Sequence, residues 1–344
     1  HNPREESMKH LTRAALAGLA TVALSTGAFA AEKLKMATID PGSSAYLVMT
    51  TMANIVNDKQ SDYEITVDAT GAATKHMVEV ASGKIDLCMV SPTVYQFMKN
   101  GKAMYSKLEK APELSKNLGL IYWFPYGAYH VVTYADSGMM SLKDIKGKKV
   151  FLGPPGGGAW NTANAWIGSM TGYKAGEDYE NVKASWGAAL QAFQDRQIDV
   201  YINGGIPPYP QIEQLALTSK LRILGPTKAE VDAASDEMLA PTRGPGRTLD
   251  VIPAGIYGDG VVNSEDVYEV GSTVGVGVRM DLSEDTVYEI TKVFWENLPG
   301  VQKTTPFMRK VTLEGLQKSS AMPLHPGAIK YYKEIGIEVP DEMQ

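Results

Sequence analysis

One cysteine in 344 residues, Cys88, leaves the chain without an internal disulfide. Cys88 sits in the apolar run Leu87-Cys-Met-Val90, which predicts a small buried hydrophobe. Histidine is also scarce, with only His1, His10, His76, His130 and His325. No H-E-x-x-H, C-x-x-C, G-x-S-x-G or S-x-x-K with its partners occurs in a fitting context, so neither a metal centre nor a nucleophilic triad is expected. The chain has neither the G-x-x-x-x-G-K-[ST] lysine nor G-x-G-x-x-G spacing, which disfavours nucleotide binding. A net charge of −6 gives nothing to draw the chain to nucleic acid or an acidic membrane. Beyond residue 30 there is no run of 18 apolar residues, and a soluble mature protein is expected. These absences point to a binding protein that is not an enzyme, needs no cofactor and is a monomer.

What is present begins with an export signal. Met8-Lys-His-Leu-Thr-Arg13 is basic, residues 14–26 are rich in Ala, Leu and Val, and Ala28-Phe-Ala30 has the form a signal peptidase cleaves. The reading is a signal peptide over 8–30, cleaved after Ala30, with His1 to Ser7 set aside from fold reasoning. Export without a disulfide indicates the periplasm.

The most informative pattern is an internal repeat. Pro41-Gly-Ser-Ser-Ala-Tyr46 returns as Pro155-Gly-Gly-Gly-Ala-Trp160. Thr70-Gly-Ala-Ala-Thr74 returns as Trp186-Gly-Ala-Ala-Leu190, and Lys84-Ile-Asp-Leu-Cys-Met-Val90 as Gln197-Ile-Asp-Val-Tyr-Ile-Asn203. Short apolar runs, turns and helix-length stretches alternate in both copies, as a mostly parallel sheet with helices on both faces requires. Leu34–Ile39, Tyr63–Ala69 and Ile85–Val90 read as strands, and Tyr46–Val56 and Thr74–Ala81 as helices, with Ser43 or Ser44 as the first N-cap. Leu118–Phe124 and Tyr129–Tyr134 read as two strands around the turn Pro125-Tyr-Gly127, while Arg243–Arg247 and Pro253–Gly260 read as loops. The predicted fold is α/β with two lobes, lobe I from 31–131 plus 276–344 and lobe II from 132–275. Two mixed sheets flanked by helices would enclose a ligand cleft, with hinge strands near 129–134 and 273–279.

Each repeat sets a glycine-rich turn between a strand end and a helix N-terminus, where free N–H groups and the helix dipole favour an anion. The candidate ligand residues follow from that. Ser43, Ser44 and Tyr46 come from the first turn, and Thr70, Gly71, Lys75 and His76 from the second. Ser91 follows a strand end, and Gly157, Gly158, Trp160, Asn161 and Thr162 open the second copy's first helix. Asn203 and Gly204 close the second wall, and Tyr257 is placed over the opening. Lys75 and His76 are the candidates to contact a carboxylate. Tyr46 and Trp160 are matching aromatics, one per lobe.

In order, these parts resemble the TAXI family, the solute-binding subunits of tripartite ATP-independent periplasmic (TRAP) transporters. The resemblance is carried by Ala69-Thr-Gly-Ala-Ala-Thr74, Gly83-Lys-Ile-Asp-Leu87 and Val131–Gly138 leading to Ser141–Lys148. Gly153-Pro-Pro-Gly-Gly-Gly158, Ile252–Tyr257, Thr286–Lys292 and Pro323–Ala328 continue it. It implies a type II periplasmic-binding-protein fold that captures a small organic acid, such as glutamate or 2-oxoglutarate, and delivers it to a TRAP membrane permease. Three departures leave the ligand open. Thr70-Gly-Ala-Ala-Thr-Lys-His76 replaces a T-G-G-S-x-x-N pattern, and Pro155-Gly-Gly-Gly-Ala159 replaces P-G-S-G-T. Asp40-Pro41 stands where small residues are usual, an acid suited to repelling a highly charged anion or recognising an amino group. The alternatives are the receptor of an ABC importer, a periplasmic enzyme on this scaffold, and a sensor or antigen that uses the ligand as a signal.

Overall fold

The computed structural model describes residues 31–319 and 321–344. The expected signal peptide therefore lies outside the described residues. The first part of the chain runs β1 (Glu32–Ala37), α1 (Ser44–Lys59), β2 (Tyr63–Asp68), α2 (Ala73–Ala81), β3 (Leu87–Val90), α3 (Pro92–Lys99), α4 (Ala111–Ser115) and β4 (Leu118–Tyr134). The second runs β5 (Lys149–Phe151), α5 (Gly158–Thr171), β6 (Glu180–Asn181), α6 (Trp186–Gln194), β7 (Val200–Gly205), α7 (Pro210–Ala216) and β8 (Leu221–Ile223). It is completed by α8 (Lys228–Ala233), β9 (Arg247–Ile252), β10 (Val267–Arg279), α9 (Glu284–Thr304) and α10 (Pro326–Glu334).

The class is mixed α/β. The sheet path is β2-β1-β3-β10-β4-β7-β5-β6, with β8 also on β4 and β9 on β10. β1 is parallel to β2 and β3, and β5 is parallel to β6 and β7. The repeat is thus realised as two units with the same strand order, 2-1-3 and 6-5-7, on either side of the antiparallel pair β4–β10. The match reaches single bonds. Asp86 accepts from the Lys35 main-chain N–H and Asp199 from that of Lys149, each at 2.8 Å.

Local sequence explains the elements. Ser43 caps α1 by accepting from the Tyr46 N–H at 3.1 Å, so Ser43 and not Ser44 is the cap. α1 then buries Val48, Met49, Met52, Ile55 and Val56 on one face, each such side chain contributing about 1.5–3 kcal/mol. β4 is buried along almost its whole length, as a central strand covered on both faces must be. Cys88 is buried and unpaired, and burial pushes its thiol pKa up.

Three expectations are corrected. Pro125-Tyr-Gly127 is no turn between two strands but an irregularity within β4, where the pairing with β10 shifts between Ser272 and Thr273. Gly127 permits it, because its φ is +100° and a Cβ would lie 2.1 Å from the Gly205 carbonyl oxygen. The two expected sheets are one hydrogen-bonded path, because the 17-residue β4 and 13-residue β10 are long enough to pair with strands of both units. Arg247 is not the end of a loop but the first residue of β9, held there by pairing with Ser272.

Candidate functional site

A cavity lies where helix N-termini of both repeat units meet the central strand pair. About 60 Å³ of it is open to the centre of a water molecule. The first unit contributes Ile39, the start of α2 (Ala72, Ala73, Thr74, Met77), Met89, and Ser91 and Val94 of α3. The second contributes Pro154, the start of α5 (Gly157, Gly158, Ala159, Thr162) and Trp186 at the start of α6. Tyr126, Tyr129, Ser272 and Val274 of the central pair, with Arg247 of β9, complete it.

The four repeat helices end differently. α1 and α6 are capped by Ser43 and Ser185. α2 and α5 have no side-chain cap, since Ala72 and Gly157 stand at those positions. Among the described residues, the N–H groups of Ala73 and Thr74, and of Gly158, Ala159 and Trp160, have no acceptor. These two uncapped ends both open on the cavity, and both dipoles favour negative charge there.

Among the described residues, Arg247 is the one on the cavity wall with a formal charge. It donates to the Thr162 hydroxyl and is bonded to Tyr129. No described carboxylate pairs with it. Desolvation by burial lowers its pKa, with Tyr129 opposing the shift, yet an arginine remains charged at any ordinary pH. The loop before it explains its position. The Thr93 hydroxyl donates to the Pro245 carbonyl at 3.0 Å. Gly246, at φ +68°, packs so closely that a Cβ would lie 2.5 Å from Pro92. Docking of 245–246 on the start of α3 therefore delivers Arg247 into the cavity.

Of the residues expected from sequence, Ser91, Gly157, Gly158 and Thr162 line this cavity. Asn161 is beside it, donating to the Gly157 carbonyl at 3.0 Å. Trp160 is directed elsewhere, its indole N–H on Asn181 at 3.3 Å. Thr70 is exposed and bonded to Asp68, and Lys75 is exposed and pairs with Glu79 at 3.7 Å. His76 is buried with Nε2 2.7 Å from the Thr70 carbonyl, under Gly71, whose φ is +86°. Burial lowers the His76 pKa, and its Nδ1 has no partner among the described residues. These residues shape the loop ahead of α2 and do not line the cavity.

The other candidates lie in a polar network behind Tyr126. Ser44 accepts from the Ile206 N–H at 3.0 Å. Tyr126 donates to Asn203 at 2.8 Å, and Asn203 also accepts from the Gly204 N–H. Gly204 is needed there, since a Cβ would lie 2.1 Å from the Tyr126 ring. Asp40 lies beside Gly42 and Gln211 at the edge of this network, burial raises its pKa, and its Oδ2 has no hydrogen-bond partner among the described residues. Asp40 and Tyr46 are not on the cavity wall. Tyr257 does not lie over the opening. Nδ1 of His130 holds the Ala128 carbonyl at 2.8 Å, so Nε2 accepts from the Tyr257 hydroxyl at 2.6 Å. That hydroxyl in turn accepts from the Tyr209 N–H at 2.9 Å.

Sequence reasoning missed Arg247, Tyr129 and Trp186. The only signal for Arg247 was the Gly-Pro-Gly before it, which marks a tightly bent loop but not its destination. A larger groove of about 830 Å³, with Pro125, Asp250, Arg309, Lys310 and Glu314 on its walls, meets none of the uncapped helix ends. Among the described residues no group of three or more His, Cys, Asp or Glu could hold a metal, and no helix is long and apolar enough to cross a membrane.

The sequence profile of the NMT1-like family matches residues 36–336, and the chain belongs to that family. In structure it is similar to the alkanesulfonate-binding protein SsuA of Xanthomonas axonopodis pv. citri bound to MOPS, at 16% identity over 89% of this chain and 92% of that one, with a TM-score of 0.47. It is also similar to a TRAP periplasmic solute binding protein of Ralstonia eutropha H16 with bound (S)-2-acetolactate, at 12% identity over 90% and 86%, TM-score 0.46. A third likeness is to a TRAP periplasmic solute binding protein of Chromohalobacter salexigens with bound D-glucuronate, at 14% identity over 90% and 89%, TM-score 0.45. Each likeness concerns the fold, not the ligand.

Proposed function

We propose that this chain is an exported solute receptor that captures a small organic anion and performs no chemistry on it. The observation that carries the reading is Arg247, charged and without an acid partner, on the wall of a cavity where two uncapped helix ends leave their N–H groups free. A half-buried cation without a counter-ion has lost part of its hydration uncompensated, and an incoming carboxylate supplies what is missing.

The receptor works by closure. Residues 31–131 with 276–344 form one lobe and 132–275 the other, and β4 and β10 join them. A ligand that touches α2 on one lobe and α5 with Arg247 on the other favours the closed form, because the open form offers only half of those contacts. The receptor delivers its ligand to a TRAP permease as a TAXI-type subunit in the periplasm. The test is small-angle scattering and calorimetry on ligand-stripped protein with an acid panel. Binding with a smaller radius of gyration is expected. No binding by any acid, with unchanged scattering, overturns the reading.

A further inference from the structure

Resting on that reading, we infer that the ligand is a short monoanion with an apolar body, not a dicarboxylate and not an amino acid. Among the described residues the cavity wall carries one cation, Arg247, and no lysine, histidine, aspartate or glutamate. One carboxylate is therefore matched by one guanidinium and by the free N–H groups of α2 and α5. A second carboxylate, as in 2-oxoglutarate, would be desolvated without a cation of its own, and an ammonium group would be desolvated without an acid. Asp40 follows the wall residue Ile39 in sequence but is itself off the wall, at the edge of the network behind Tyr126.

The rest of the wall is apolar. Ile39, Met77, Met89, Val94, Trp186 and Val274 would face the body of the ligand. Apart from the Trp186 indole N–H, these side chains offer a polar chain no hydrogen-bond donor, and methionine adapts its shape to small differences in the hydrocarbon. Of the polar wall groups, Tyr126 is already used by Asn203, and Thr162 by Gly158 and Arg247. Tyr129 is held by Arg247 and Ser91 caps α3 by accepting from the Val94 N–H, so the Thr74 and Ser272 hydroxyls and the Trp186 indole N–H remain, enough for one carbonyl or hydroxyl near the acid end. The space of 60 Å³, at roughly 10–15 Å³ per water-sized group, holds about four to six such groups, so the acid is a small one.

The test is calorimetric titration of the full mature chain, stripped of ligand, with size-matched probes. The monoacids are isobutyrate, isovalerate and 2-oxobutyrate, the diacid is 2-oxoglutarate, and the zwitterions are valine and glutamate. At least one monoacid is expected to bind at least tenfold tighter than the diacid and both amino acids, and Arg247→Gln to remove that binding while urea unfolding stays cooperative. Tight binding of 2-oxoglutarate or glutamate, lost in the same variant, overturns the monoanion inference and leaves the receptor reading standing. No binding by any probe overturns both.

Discussion

Arg247 donates to the hydroxyl of Thr162, which itself donates to the Gly158 carbonyl at 2.9 Å. The cation is thereby tied to the first turn of α5, so a ligand that reaches Arg247 also meets the free N–H groups of that turn. Thr162→Val removes the acceptor while keeping the side-chain volume. About tenfold weaker ligand binding is expected, together with a urea midpoint close to that of the parent. Arg247→Lys keeps the charge but loses the planar fork, and a loss of at least tenfold is expected there too. Titration calorimetry reads both, and undiminished affinity in either variant contradicts the role given to the pair.

Gly158 stands opposite Val94 across the cavity. A Cβ on Gly158 would lie 2.9 Å from Val94 Cγ2, and its backbone needs no positive φ. Gly158→Val needs no unusual backbone angle, but it crowds Val94 and pushes α5 and α3 apart at the cavity. Ligand affinity is expected to fall at least tenfold, with scattering of the ligand-free protein no more compact than the parent's. Retained affinity would place the ligand elsewhere.

Tyr257→Phe separates support from contact. It leaves His130 Nε2 and the Tyr209 N–H without their buried partner, a loss of about 1–3 kcal/mol in urea unfolding. Ligand affinity at neutral pH should change less than twofold, since Tyr257 is not on the cavity wall. A large affinity loss with unchanged stability would return Tyr257 to the binding residues.

Two buried groups give opposite pH dependences. Burial brings the His130 pKa down to about 4 from an ordinary 6.5. Above pH 6.5 it is neutral folded or unfolded. Between pH 6.5 and about 4 the unfolded chain takes up the proton first, so stability falls as pH falls, by up to about 1.4 kcal/mol per unit. His76 and His325 are depressed by burial and act in the same direction. Glu269 does the reverse. It is fully buried, accepts from Trp166 at 2.6 Å, and its other oxygen has no partner among the described residues. Its pKa is held well above 4.5, so stability is lost as pH rises past that value. Glu269→Gln is uncharged at every pH. It should unfold at higher urea than the parent at pH 7, with the gain shrinking toward pH 4. A destabilised Glu269→Gln at pH 7 would mean that the carboxylate is charged and paired.

The repeat was legible because its signals are local. A strand ending in Asp40-Pro-Gly or Leu152-Gly-Pro-Pro-Gly, followed by a helix, announces the same β-turn-α step in both copies. Asp86 and Asp199 repeat even the bond to the neighbouring strand. The bulge at Tyr126 was not legible, because Pro-Tyr-Gly has the composition of a turn and only pairing with β10 keeps the strand going. Tyr46 and Trp160 match in sequence, but a match says nothing of which way a helix face is turned, and Trp160 is turned toward Asn181. Arg247 was hidden for a third reason. Its place depends on Pro92 and Thr93, more than 150 residues away, holding the loop before it.

The capping pattern has a further consequence. A duplicated unit would ordinarily present the same face twice, and a ligand between two equal faces could sit either way round. Here serine closes one helix of each copy and leaves the other bare, and the bare ones belong to different steps of the repeat. The scaffold is symmetric while the pocket has a head and a tail. A molecule held in it has one orientation, with its acid end toward the bare helix ends.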